Sequence, residues 1–235
     1  MKGLAQFFQE HPLGHVYEDA EITVFFGDKR SRPEAVADAF PDFELMILNQ
    51  THSDRIVPAP YTDHPDADGH FTKKSRVALC IRTADCTPVM VYDPSTRLIG
   101  AVHAGWRGVE NEITRKLCTR LRSEGSHLGH ARAWIGPHIG LPSFEVDLGV
   151  GARLQSRFEA VRGFSPDATA TYSHEDTTKV RIDLLSIIRA QLGAADIEQE
   201  SVLVLPVDTM TSDSYESYRR DKQAAGRQIS FIALK

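Results

Sequence analysis

The chain has 235 residues, of which 41% are hydrophobic and 25% charged, with a formal net charge of −5. That length buries a sizeable core and that composition is of a folded protein, which excludes wholesale disorder, while the acidic balance argues against a general binder of nucleic acid or of a membrane surface. Three cysteines, Cys80, Cys86 and Cys118, are too few and odd in number for a disulfide framework and read as free thiols. The N-terminal "MKGLAQFFQEHPLGHVYED" has no basic stretch followed by an apolar one, and nowhere do about 18 apolar residues run together, so a cytoplasmic protein off the membrane is expected.

No repeat and no linker divides the sequence, so a single domain over 1–235 is expected. In chain order, "EITVFFGD" (21–28) reads as a strand, "PEAVADAF" (33–40) as a short helix, and "ELMILNQTHSDRIVPAP" (44–60) as a strand leading through polar residues into another. "SRVALCIRTADC" (75–86), "TPVMVYD" (87–93) and "LIGAVHAG" (98–105) are apolar strand-like runs, the last two joined by the turn residues "PSTR". Val109, Ile113, Leu117 and Leu121 recur every four residues and predict a helix ending at "SEGSHLG". Then follow strand "ARAWIG" (131–136), loop "PHIGLPSFEVD" (137–147), helix "LGVGARLQSRFEAV" (148–161), a polar stretch to Lys179, helix "DLLSIIRAQLGAA" (183–195), strand "SVLVLP" (201–206) and strand "QISFIAL" (228–234). Strands and helices mix without a strict βαβ rhythm, which predicts an α+β fold with mixed sheets flanked by helices.

If Tyr92 and Leu98 pair across the turn, Thr87 falls opposite His103, and Cys86 and His103 meet at the open end of one hairpin. A cysteine and a histidine brought together can hold a metal or act as nucleophile and base, although either alone is more often a packed or hydrogen-bonded residue. Gly105 and Gly108 in "HAGWRGV" permit close approach of backbone between the strand end and a helix start, where Arg107 is placed to meet an anion. His52, in "NQTHSDRIV", is a further candidate at a polar break. Arg219, Arg220 and Arg227 cluster in "SYRRDKQAAGR", and His138 stands in "GPHIG" as either an extra polar group or a plain loop histidine. Asp68, Asp85 and Cys80 are expected near the site without being ligands; Asp85, on an extended strand, would point away from the face that carries Cys86.

The segments "NQTHSDRIV", "DADG", "RTADCTPVMVYD", "AVHAGWRG", "IGPHIG" with "FEV", and "SYRRDKQAAGRQISFIAL" resemble the laccase-domain family of YfiH and FAMIN type. That family was once called multicopper polyphenol oxidoreductases and later described as purine nucleoside phosphorylases. The resemblance implies a YfiH-like fold and a zinc site formed by His52, Cys86 and His103. It implies phosphorolysis of adenosine, inosine and methylthioadenosine, and deamination of adenosine, with His52, Cys86, His103 and Arg107 as catalytic residues. Two imidazoles and a thiolate leave an open fourth position on a tetrahedral zinc. Phosphorolysis also needs a phosphate, for which Arg107, Arg219, Arg220 and Arg227 are the candidates.

Two other readings compete. Copper binds such donors more tightly than zinc, so a copper-dependent polyphenol oxidase is one, but no H-x-H pair is present to assemble a trinuclear cluster. A cysteine or metal hydrolase editing peptidoglycan precursors is the other. The family commonly has cysteine where "VDTMTSDSYESYRRD" places Asp208. Expected partners are a nucleoside and phosphate, with the chain a monomer or homodimer.

Overall fold

A computed structural model describes residues 7–160, 171–173 and 178–235. Two six-stranded sheets carry the architecture. The first runs β1 (Gln9–His11), β2 (Gly14–Glu18), β3 (Ile22–Gly27), β15 (Gln228–Leu234), β7 (Val77–Thr83), β4 (Glu44–Ile47), antiparallel except for β4 beside β7. The second runs β14 (Val202–Val204), β10 (Arg132–Ile135), β8 (Thr87–Asp93), β9 (Leu98–Ala104), β6 (Gly69–Thr72), β5 (Ile56–Pro58), parallel only at its two edges. A small antiparallel sheet joins β11 (Glu145–Asp147), β13 (Lys179–Ile182) and β12 (Thr171–Ser173).

The two large sheets pack face to face, and successive side chains on each strand go to different layers. From β7, Val77, Leu79 and Ile81 enter the space between the sheets with Met90 and Tyr92 of β8, whereas Ala78 and Cys80 face outward beside Val36 of helix α1 (Pro33–Ala39). From β8, Val89 and Val91 point the other way, onto the core shared with helices α3 (Ile113–Ser123), α4 (Leu148–Glu159) and α5 (Leu184–Gly193). Strands buried on both faces read as unbroken apolar runs rather than as alternation, which is why 75–93 and 98–105 are so apolar. Each fully buried side chain such as Phe26 or Phe231 contributes on the order of 2–3 kcal/mol of transfer free energy. Among the described residues no helix is long and apolar enough to cross a membrane.

The α+β expectation with mixed sheets flanked by helices holds. The details differ in several places, four of which bear on the site or the sheets. The run 75–86 is not one strand: β7 ends at Thr83, and 84–86 carry the chain from the first sheet to the second. In the hairpin Asp93 pairs with Leu98, so Pro88, and not Thr87, is opposite His103. The helix starting near Val109 is two helices, α2 (Trp106–Glu110) and α3, broken where Glu112 adopts a left-handed φ of 60°. The short strands β1, β2 and β11 carry too little apolar pattern to be read, and β11 lies inside the expected loop 137–147. Most of the polar stretch before Lys179, and Val161 at the end of its expected helix, lie outside the described residues.

Candidate active site

The crossover between the sheets fixes the site. Cys86 sits on the 84–86 link, His103 near the end of β9, and His52 on the loop between β4 and β5, so three separate segments converge at one end of the sandwich. One ligand atom from each of the three residues lies within 4.8 Å of the others. Cys86 Sγ is 3.9 Å from His52 Nε2, and the two imidazole rings stand edge to face with centroids 4.9 Å apart. His103 is buried, Cys86 half-buried and His52 exposed, which leaves the cluster open on one side. Gly105 makes this approach possible: a Cβ there would stand 2.9 Å from Cys86 Sγ and 3.2 Å from His52 Cδ2.

Asp68, fully buried just before β6, organises the ligands. Its carboxylate accepts the backbone N–H groups of Thr51 (3.1 Å), His52 (3.1 Å) and Ser53 (2.6 Å), which holds His52 at a left-handed φ of 60°. It also accepts the Ser53 hydroxyl at 2.7 Å and His103 Nδ1–H at 2.8 Å. Burial alone would raise this carboxyl's pKa, but the bonds from His103 and Ser53 outweigh it and hold it at about 2. With Nδ1 committed to Asp68, Nε2 is the His103 nitrogen that faces the cluster. Burial also opposes charge on Cys86 and His103, yet each stabilises the other's charged form, so the thiol is lowered and the imidazole raised.

Two imidazoles and an ionisable thiol are a donor set for zinc or copper. Tetrahedral zinc with bonds of about 2.0–2.3 Å places its ligand atoms roughly 3.5 Å apart. The observed cluster approaches that spacing, so these residues fit a metal. It is also the only group of three or more such side chains, among the described residues, that could hold one.

The cluster opens on a cavity of about 760 Å³. Arg107, exposed on α2, stacks its guanidinium 4.3 Å from the Trp106 ring centroid and makes no hydrogen bond or ion pair among the described residues. Arg219 lines the wall, its Nη2 donating to the Glu145 carbonyl at 2.9 Å. Arg227 also lines it. Arg220 does not: its guanidinium donates to the carbonyls of Thr209, Met210, Ser212 and Tyr215 and to the Asp221 carboxylate, so it ties the 209–221 segment together instead of meeting a phosphate.

Asp85 lies on the cavity wall and is not extended; at a left-handed φ of 82° it accepts Thr209 Oγ1–H at 2.8 Å and the Arg219 N–H at 2.6 Å, tying the crossover to the C-terminal segment. Cys80 is not in the cluster and does not line the cavity; it is buried on the outer face of β7, where burial pushes its thiol up to about 12. His138 is buried, its Nδ1–H donating to the Gly136 carbonyl at 2.8 Å, and burial lowers its pKa despite that bond. Asp208 accepts Ser143 Oγ–H at 2.6 Å and the Met210 N–H at 3.0 Å, a role in loop structure. The cavity also holds Gln50, Arg82, Tyr218 and Lys222, which the sequence pattern does not single out. For Arg82 the available signal was a lone arginine within the otherwise apolar "VALCIRT". Gln50 and Arg82 exchange two 2.8 Å bonds, Gln50 Nε2–H to the Arg82 carbonyl and the Arg82 N–H to Gln50 Oε1, clamping the His52 loop onto β7.

Over residues 6–235 the chain matches the family model described as multi-copper polyphenol oxidoreductase laccase. It is 30% identical over 217 residues to Purine nucleoside phosphorylase YlmD of Bacillus subtilis, covering 86% of this chain and 76% of that protein. It is 36% identical over 204 residues to a purine nucleoside phosphorylase of Bacteroides thetaiotaomicron, covering 81% and 73%. Its fold is similar to the crystal structure of Bacillus licheniformis hypothetical protein YfiH, with a TM-score of 0.85 at 27% identity over 97% of this chain and 99% of that one. The fold of YlmD from Geobacillus stearothermophilus follows at 0.84 and 23% identity, again over 97% and 99%. The chain therefore belongs to the family described as multi-copper polyphenol oxidoreductase laccase, whose members include relatives named purine nucleoside phosphorylase.

Proposed function

We propose that this chain is a zinc-dependent purine nucleoside enzyme that phosphorolyses adenosine, inosine and methylthioadenosine and deaminates adenosine. The observation that carries the reading is the His52, Cys86 and His103 cluster opening on a cavity of about 760 Å³, with Arg107 on its wall and without a hydrogen-bond or ion-pair partner among the described residues. That volume lies within the roughly 300–1,000 Å³ range of small-ligand pockets. The names of the relatives supply the nucleoside class.

His52, Cys86 and His103 would hold the metal, which when bound supplies Lewis acidity and the means of making a nucleophile from water near neutral pH. The protein's own groups do the rest. Asp68 keeps a proton on His103 Nδ1, so that Nε2 remains the donor atom. Arg107 and Arg219 hold phosphate beside the sugar by charge-assisted hydrogen bonds, and the 44% exposed Tyr218 offers an aromatic face to the base.

Metal-quantified protein given adenosine with and without phosphate is expected to yield adenine only with phosphate and inosine in both cases. If zinc-loaded protein leaves adenosine and inosine untouched, the reading fails. Phenol oxidation by copper-loaded protein, dependent on Cys86, would replace it with the oxidase reading that the family's description favours. Activity that survives chelation but not thiol alkylation would replace it with a cysteine hydrolase, for which the paired Cys86 and His103 are suited.

Arg107→Ala separates the two activities. Losing a charge-assisted contact worth about 1.5–3 kcal/mol lowers phosphorolysis by roughly 10- to 100-fold. Deamination, which does not consume phosphate, falls much less. Equal losses in both, measured by separate detection of adenine and inosine, would make Arg107 a structural residue.

A further inference from the structure

We propose that the cavity accepts nucleosides that carry a phosphate of their own, the nucleoside 5′-monophosphates, in preference to bare nucleosides. This rests on the nucleoside reading above and concerns the part of the cavity that the reading leaves unused.

Five cations, Arg82, Arg107, Arg219, Lys222 and Arg227, line the cavity against one carboxylate, Asp85, in a chain whose net charge is −5. The oxygens of Asp85 are already engaged by Thr209 and by the Arg219 backbone. A phosphate brings about −1.5 to −2 near neutral pH, so a single inorganic phosphate leaves cationic charge uncompensated.

Apart from Arg219, whose guanidinium donates to the Glu145 carbonyl, the cations fall into two groups. Arg107 follows β9 and lies four residues beyond His103. Arg82 lies on β7 opposite Ile229 of β15, and Lys222 and Arg227 are on the segment leading into β15, so these three share the other wall. This second wall is underused. Arg82 spends Nη2 on the Leu48 carbonyl at 3.1 Å while its buried Nε has no hydrogen-bond partner among the described residues, and Lys222, exposed at a left-handed φ of 53°, has no side-chain partner among them. Among the described residues Arg227 spends only Nη1, on the carbonyls of Ala225 and Gly226. The neighbouring Glu216 does not neutralise them, because it accepts from Arg32 Nη2 and the Gly226 N–H.

A wall of this kind fits a second phosphate held apart from the one at Arg107. The 5′-phosphate serves as a handle and is not altered. In phosphorolysis an oxygen of inorganic phosphate bonds to C1′ as the C1′–N9 bond breaks. The bonding pair leaves with the purine, which takes up a proton, and the other product is a pentose 1,5-bisphosphate.

The test compares kcat/KM for adenosine and adenosine 5′-monophosphate in the metal-quantified protein and in the double variant Lys222→Gln/Arg227→Gln, both positions being exposed. The monophosphate is expected to be preferred about tenfold or more, the preference to fall about tenfold in the double variant, and Lys222→Arg to keep it. Turnover of adenosine with no preference for the monophosphate would overturn the inference and leave the nucleoside reading standing. Turnover of neither would overturn both. A preference that persists unchanged in the double variant would overturn the assignment of this wall.

Discussion

Cys86→Ser and His103→Ala are each expected to lower zinc affinity by at least about 100-fold and to abolish turnover of adenosine. Changing residues that only support a metal's ligands already costs about 10- to 100-fold, and these two supply donor atoms themselves. The affinity should also depend on pH, with a sign fixed by the site. In the metal-free protein the neighbouring Cys86 and Asp68 raise the His103 pKa against the effect of burial, so His103 holds a second proton through neutral pH. A metal must displace that proton, so affinity falls as the pH falls, by up to about tenfold per unit while His103 remains imidazolium. Without metal the pair stabilises the fold over a window: the raised His103 pKa contributes stability that is lost as the pH rises through its folded value, and the lowered Cys86 pKa contributes stability that is lost as the pH falls through about 6. Competition with a chromophoric chelator at several pH values, together with elemental analysis, measures both. Full zinc occupancy in both variants, or an affinity indifferent to pH, would remove these residues from the metal site.

The convergence of Cys86 and His103 was legible because it is local. Both lie at the open end of a short hairpin whose strands are apolar enough to recognise, and a register error of one residue leaves them there. His52 was not legible from pattern, since it reaches the cluster through a loop whose shape is set by Asp68, sixteen residues further along. Nothing in a polar loop announces a left-handed turn wrapped around a carboxylate. The arginines show the other limit. Arg219, Arg220 and Arg227 look equivalent in sequence, but one turn of helix at α6 (Tyr218–Asp221) sends Arg220 into a set of carbonyls while Arg219 lines the cavity. Arg82 and Lys222 join them because β15 returns from the far end of the chain to pair with β7, a long-range pairing that no local period encodes.

Asp68→Asn is expected to weaken the site and the fold together, because one carboxylate serves both. An amide cannot accept from all five N–H and O–H donors that converge within 3.1 Å, and its NH₂ would face some of them. Breaking a buried charged pair of this kind costs about 3–5 kcal/mol. The wild-type carboxyl has its pKa depressed from 3.8 to about 2, a contribution of about 2 kcal/mol that is present above pH 4 and is lost as the pH falls towards 2. Denaturation of the metal-free protein at pH 7 and at pH 3 should therefore show the gap between wild type and variant narrowing in acid. Ser53→Ala, which removes a single donor to Asp68, provides a variant expected to fold normally, with a loss of about 1 kcal/mol. Its effect on metal affinity should be small, since the bond from His103 Nδ1 to Asp68 remains. In Asp68→Asn that bond is to a neutral acceptor or is lost, the imidazole is no longer held in one tautomer, and zinc affinity should fall about 10- to 100-fold. A variant that loses stability and still binds zinc with wild-type affinity would make Asp68 a support of the 51–53 loop with no part in orienting His103.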